Sequence, residues 1–419
     1  MQMNRRFFLH KGALAIAGTA AIPSFMVRSV IAEAANNPSR RLVVVFQRGA
    51  ADGLNIVVPY REKNYYAMRP SIAIPQNQVL DLDGFFGLHP SLAPFKPLYD
   101  QEQLAIVHAA GSPDTTRSHF DAQDYMESGT PGVKSTQDGW LNRALQAEDL
   151  RKRCVGTCEQ HTAFRALALG NDVPRTLAGK IPAIALNNVN GFTVAGRGPT
   201  LSPAASAFEA MYADSGDHIF HAAGDETFDA VKMLRAANPA QYTPDPNVNY
   251  PGTEFGNNMK QIAQLLKADL GVEVAFTDVN GWDTHVNQGS VNGQLANRLS
   301  DFSASIAAFW RDLGDSAANV TLVTMSEFGR TARENGTGGT DHGHANAMFI
   351  LGGDVKGGKV YGKWPGLANE QLNEGRDLVL TTDYRQVLAE VVTKTLGAQN
   401  LDVVFPGAAV SPNRFLRLV

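Results

Sequence analysis

Arg41-Leu42-Val43-Val44-Val45-Phe46, running on into Gly49-Ala50-Ala51-Asp52-Gly53-Leu54-Asn55, is the stretch on which the fold turns. A continuous apolar, β-branched run without polar alternation reads as a strand covered on both faces, the habit of a parallel sheet. The glycine-rich turn after it puts Asp52 just past the strand's carboxyl end. Gln103 to His108 reads as a second strand, broken by Gly111-Ser112-Pro113. Arg117 to Met126 then reads as a helix with Ser118 at its N-cap and Asp121 three residues on, close to a capping box. Leu295 to Leu313 and Asp383 to Leu396 are amphipathic and helical in spacing. Strands alternating with such helices predict an α/β fold.

Three clusters in the second half carry the chemistry: Gly281-Trp282-Asp283-Thr284-His285, Ser326-Glu327-Phe328-Gly329-Arg330 and Thr340-Asp341-His342-Gly343-His344-Ala345-Asn346. Each adjoins a β-rich run, Val272 to Thr277, Val320 to Met325 or Ala347 to Leu351. Ligands of open α/β sheets bind beyond the carboxyl ends of the strands, so this is where a site belongs. Imidazoles and carboxylates mixed over so few residues are the ligand set chosen by zinc and similar divalent ions, and the pattern reads as a metal-dependent hydrolase. Asp283 and His285, two apart in extended backbone, point the same way, which suits chelation. Some of the candidates also have a plainer reading: Asp52-Gly53 as a turn pair, Ser118 as a helix cap, Glu327 and Arg330 as an i, i+3 ion pair, whereas Asp283 with His285 and His342 with His344 are harder to explain as structure.

The amino terminus is an address. Asn4-Arg5-Arg6-Phe7-Phe8-Leu9 is a twin-arginine pattern, followed by a mildly apolar run and by Ala32-Glu33-Ala34, a small-x-small cleavage site. Residues 1–34 are therefore expected to be a signal peptide, and 35–419 a single domain with a helical insertion near 195–260. The expected location is periplasmic or secreted, with no stable membrane span after cleavage. The leader carries Arg5, Arg6, Lys11, Arg28 and Glu33, a net +3, so the rest bears −7 where the whole chain bears −4. A mildly acidic chain without basic stripes is a poor partner for nucleic acid. The two cysteines, Cys154 and Cys158, flank Gly156 and are expected to form a local disulfide in an oxidising compartment.

Together, the twin-arginine leader, Val44 to Asn55, Arg117-Ser118-His119-Phe120-Asp121-Ala122, Gly281 to His285, Ser326 to Thr331 and Asp341 to Ala345 resemble the exported Domain of Unknown Function 1501 family. That family is grouped with the alkaline-phosphatase-like superfamily, which includes sulfatases. The resemblance implies an alkaline-phosphatase-like three-layer sandwich, with a mostly parallel central sheet and helices on both faces. It also implies roles: Asp52 as a metal ligand, Ser118 as nucleophile, Asp283 with His285 as a second ligand pair, Glu327 in the place of an Asp, and His342 or His344 as the last imidazole, with Asp341 beside them.

Two departures stand out. Phe328 occupies the place of a metal-binding histidine, and neither cysteine has the context of a formylglycine sulfatase. On this reading one or two divalent ions, Zn, Ca, Mg or Mn, lower the hydroxyl pKa of Ser118 for attack on a small anionic phosphate or sulfate ester. Arg117 or Arg330 would pair with the ester oxygens. The competing reading is a non-catalytic periplasmic binding or assembly protein with a degenerate metal site, working with an exported partner encoded nearby.

Overall fold

The computed structural model describes residues 40–151, 162, 164–189, 233 and 242–419. The leader, both cysteines and most of the expected insertion lie outside the described residues. The end of that segment is described, and there Glu254–Lys267 forms a helix of the main body.

The first strand, β1 (Arg41–Gln47), sits near the middle of a nine-stranded sheet. A small sheet of β2 (Val57–Val58), β3 (Leu80–Asp81) and β4 (Gly87–Leu88) follows it in the chain. The main sheet continues with β5 (Leu104–Gly111), β6 (Ala166–Leu169), β7 (Ile184–Leu186), β8 (Val274–Val279), β9 (Val320–Ser326), β10 (Asn346–Gly352), β11 (Lys359–Tyr361) and β12 (Thr382–Asp383). Its order is β11-β5-β10-β9-β1-β8-β6-β7, with β12 also paired to β5. Every pairing is parallel except those of β10 with β9 and β5. That exception matters for the site, because the residues before β10 emerge at the edge where β1, β5, β8 and β9 end.

Successive side chains of β1 face opposite ways. Val43 and Val45 pack with Ile262, Leu299, Phe302 and Ile306 on one face. Leu42, Val44 and Phe46 pack with Leu141, Val387, Leu388 and Val391 on the other. All five β1 residues are fully buried, and burying each such side chain contributes roughly 1.5–3 kcal/mol. The helix Gln294–Leu313 shows why one layer forms where it does. Its Leu295, Leu299, Phe302, Ile306, Phe309 and Leu313 fall at steps of four and three, one apolar stripe on the sheet. Helices Trp140–Arg151 and Tyr384–Thr395 cover the opposite face. The result is a three-layer α/β sandwich.

Candidate metal centre

The loops leaving β5, β8 and β9 and the loop entering β10 meet at one sheet edge. Close backbone approach makes this possible. A Cβ on Gly343 would lie 2.3 Å from the Arg330 carbonyl carbon, and one on Gly49 would lie 2.8 Å from the Asp283 nitrogen. With only hydrogen there, Arg330 and His342 form a bridge between loops, and the turn after β1 lies against Asp283.

Three imidazoles and one carboxylate converge in this space. The ligand atoms of His119, Asp283 and His342 all lie within 4.8 Å of one another. His285 joins them, its Nε2 3.0 Å from Asp283 Oδ1 and 2.9 Å from His342 Nε2. The Nε2 of His119 is 3.6 Å from Asp283 Oδ2, and that of His342 is 3.3 Å from Asp283 Oδ1. The cluster opens to solvent, with the Asp283 side chain 43% exposed.

The tautomers follow from what the other ring nitrogens touch. His119 Nδ1 lies 2.9 Å from the Glu327 carboxylate, His342 Nδ1 lies 2.8 Å from the Arg117 carbonyl, and His285 Nδ1 lies 3.2 Å from Asp341 Oδ1. A carboxylate or carbonyl can only accept, so each Nδ1 donates, and each neutral ring turns an Nε2 lone pair toward the cluster. Such outer partners are what metal-ligating histidines use to fix their orientation. Two lone pairs facing at 2.9 Å between His285 and His342 repel unless a proton or cation lies between them. His119 Nε2 is buried without a hydrogen-bond partner. The donor set fits a divalent metal.

Charges around the cluster are tuned by the same contacts. The Glu327 hydrogen bond raises the His119 pKa, whereas burial lowers that of His342. Burial would raise Asp283, but its hydrogen bond and charge pairing with Arg330 outweigh it and hold the carboxyl below the usual range. Glu327 is fully buried. Burial pushes its carboxyl up, but hydrogen bonds from His119, Gln123 and the backbone, Gly49 N–H included, bring it below its ordinary value.

The residues expected from sequence fall into distinct places. Asp283, His285 and His342 line the cluster directly. Glu327 and Asp341 hold the imidazoles of His119 and His285 from behind. His344 turns away, its Nε2 2.9 Å from the Ser112 carbonyl oxygen.

Asp52 is buried one layer below. Arg69 donates to both of its oxygens, at 2.6 and 2.9 Å, and Gln288 Nε2 adds a third contact at 2.6 Å. Its negative charge is met by a guanidinium rather than left for a metal. Arg330 is equally committed: it donates to Asp283 Oδ1 at 2.7 Å and to Thr340 through its other nitrogens, with no exposed side-chain surface. It orients Asp283 and has no face left for a substrate. Arg117 pairs with Glu374 and Asp377, each at 2.7 Å. Ser118 caps the helix His119–Ser128, accepting from the Asp121 amide at 3.4 Å.

His119 is the member that reading for clusters misses. It stands apart from the other imidazoles in sequence, one residue after a helix cap, and its signals are its place beyond a strand end and its membership of the Arg117 to Ala122 motif. Phe328 packs on this histidine, with ring centroids 5.1 Å from His119 and 5.0 Å from His342. The side chain standing where a ligand is expected instead walls the cluster on its apolar side.

Among solved structures the chain is similar to the C-terminal periplasmic domain of EcEptC from Escherichia coli, in complex with Zn. The identity is 11% and the TM-score 0.35, over 75% of this chain and 73% of that one. The PsFucS1 sulfatase from Pseudoalteromonas sp. is 12% identical with a TM-score of 0.33, over 81% and 68% of the two chains. A protein in the alkaline phosphatase superfamily from Vibrio parahaemolyticus is 10% identical with a TM-score of 0.29, over 80% and 70%. Likenesses at these scores say nothing of substrate or metal. No curated protein matches the chain. Among the described residues no helix is long and apolar enough to cross a membrane. A family model, by contrast, matches residues 39–403, and the chain belongs to the family described as Protein of unknown function (DUF1501).

Proposed function

We propose that this protein is an exported, metal-dependent hydrolase of phosphate or sulfate esters, with one divalent ion held by His119, Asp283, His285 and His342. The convergence of three Nε2 atoms on one carboxylate, each with its Nδ1 already committed, carries the reading. A bound divalent ion would supply Lewis-acid polarisation of the ester and screening of its charge. The count of one rests on Asp52, neutralised by Arg69, and on Phe328 at the place of another histidine.

The chain's own residues have the following parts. Glu327 holds the His119 ring, Asp341 holds His285, and Arg330 holds Asp283. Ser118, adjoining His119, is the nucleophile in this reading, and among the described residues its hydroxyl proton is given to no acceptor. Attack forms a bond from Ser118 Oγ to phosphorus or sulfur, breaks the bond to the leaving oxygen and passes a proton to that oxygen. Water then releases the seryl ester. Export by the twin-arginine route fits a site filled before crossing, and Arg5 and Arg6 support it.

Elemental analysis of the purified protein, together with turnover of p-nitrophenyl phosphate and p-nitrophenyl sulfate with and without chelator, tests the reading. One tightly held ion and chelator-sensitive turnover are expected. No ion after incubation with zinc, calcium or manganese, and no turnover, would leave the alternative of a non-catalytic exported binding protein.

A further inference from the structure

Beside the metal cluster lies a cavity of about 230 Å³ lined by Met68, Arg333, Asp341, Leu372 and Arg376 among others. A second, of about 260 Å³, shares Met68 and Arg333 with it, so the two make one groove. The groove meets the cluster through the outer partners of its imidazoles. Asp341 lines it and also holds His285, and the Arg376 guanidinium donates to the His342 carbonyl at 2.8 Å.

Two guanidiniums, Arg333 and Arg376, and two carboxylates, Glu334 and Asp341, line the first cavity, and both carboxylates are already engaged. Asp341 is engaged by His285 and Asn335, and Glu334 by the backbone amides of Ser71 and Ile72 at 3.0 and 3.1 Å. Asp377 is held by Arg117 at 2.7 Å and lies 3.8 Å from Arg376. Among the described residues the Arg333 guanidinium meets no carboxylate, and that of Arg376 is only loosely met. Guanidinium groups in a concave surface are suited to hold the oxygens of a phosphate, sulfate or carboxylate. Met68 and Leu372 add apolar surface to the same lining.

We infer that the groove at Arg333 and Arg376 is an anion subsite, which binds a second negatively charged group on the alcohol side of the ester. The inference rests on the hydrolase reading above for its link to an ester, but the anion site stands on the groove alone. The substrates would then be small esters that carry two anionic groups joined by a short, partly apolar spacer.

Inorganic pyrophosphate, titrated calorimetrically into the full mature chain in chelator, tests the subsite without the metal. The titration is done in an Asp283→Asn background, so that cluster and subsite are read separately. Binding should persist in Asp283→Asn and weaken about fivefold when Arg333→Ala is added, the worth of one partly exposed charge pair. It should weaken further with Arg376→Ala, and Arg333→Lys should restore part of the loss. Arg333 is exposed, so its replacement should leave the thermal melt unchanged. Loss of pyrophosphate binding in Asp283→Asn alone, or binding indifferent to both arginines, would overturn the inference. Pyrophosphate binding that depends on Arg333 in a protein that holds no metal and turns over no ester would sink the hydrolase reading and leave the anion site standing.

Discussion

His119 Nδ1 lies 2.9 Å from Oε1 of Glu327, a carboxylate that no solvent reaches. The pair joins the start of a helix to the end of β9, and it turns the opposite ring nitrogen onto Asp283 and His342. A buried glutamate that also accepts from Gly49 N–H at 2.7 Å and from Gln123 at 3.0 Å is fixed in place. Its role is orientation.

Glu327→Gln tests that role, because glutamine keeps the shape and an acceptor oxygen while removing the charge. Outer-shell changes of this kind cost roughly 10–100-fold in metal affinity. Competition with a chelator should show a zinc affinity lower by about that factor, and Glu327→Ala should lose more. Unchanged affinity in both variants, with intact folding, would remove Glu327 from the site.

Asp52 offers a contrast. Its partner is Arg69, so Asp52→Asn should leave metal content near that of the wild type. Stability is another matter, because removing one member of a buried ion pair strands the other. The expected loss is about 3–5 kcal/mol, read from denaturant unfolding. If Asp52→Asn instead empties the metal site while the melt is unchanged, Asp52 is a ligand and the pairing seen here is not its working state.

These two residues show how far the sequence carries. The five long strands are legible because each is a largely apolar, β-rich run, whereas short ones such as β7, β11 and β12 hold too few residues to signal themselves, and Asp283, His285 and His342 are legible because they crowd into short clusters beyond strand ends. Asp52 looks like a ligand from its place after β1, since its neutralising partner lies 17 residues on and reaches it only through folding. His119 is hidden for the opposite reason. Its neighbours Arg117 and Ser118 draw the catalytic reading to themselves, and the cap formed by Ser118 explains its segment well enough locally. Arg330 and Phe328 sit in the motif as read, but whether each faces substrate or supports a ligand depends on which loops approach it. That is set by tertiary packing at Gly49 and Gly343.

Acid stability should report a different residue. His108 is buried in β5, where its Nε2 donates to the Val57 carbonyl at 3.0 Å and its Nδ1 accepts from the Ala109 amide. Burial lowers its pKa from 6.5 to about 4. The unfolded chain therefore binds a proton between about pH 6.5 and 4 that the folded chain refuses. This contribution to stability is whole above pH 6.5, falls as the pH drops through that window, and amounts to on the order of 3 kcal/mol. In His108→Gln, which does not titrate, this part of the pH dependence should vanish. Parallel stability curves for the two proteins from pH 7 to 4 would contradict the shift.

Ser118 decides the chemistry. As a cap it accepts one long contact from Asp121 N–H, and as a nucleophile it would use the oxygen of the same hydroxyl, one residue before an imidazole of the candidate metal cluster. Loss of a serine cap costs roughly 1 kcal/mol of stability, whichever role the hydroxyl has. Turnover separates the two. If Ser118 attacks the ester, Ser118→Ala should retain its metal and most of its stability but lose hydrolysis by several orders of magnitude, and quenched wild-type protein should carry a covalent phosphate or sulfate on Ser118 by mass spectrometry. Full turnover by Ser118→Ala, with the melt lowered only as a lost cap requires, would transfer the attack to water activated at the cluster and leave Ser118 a purely structural residue.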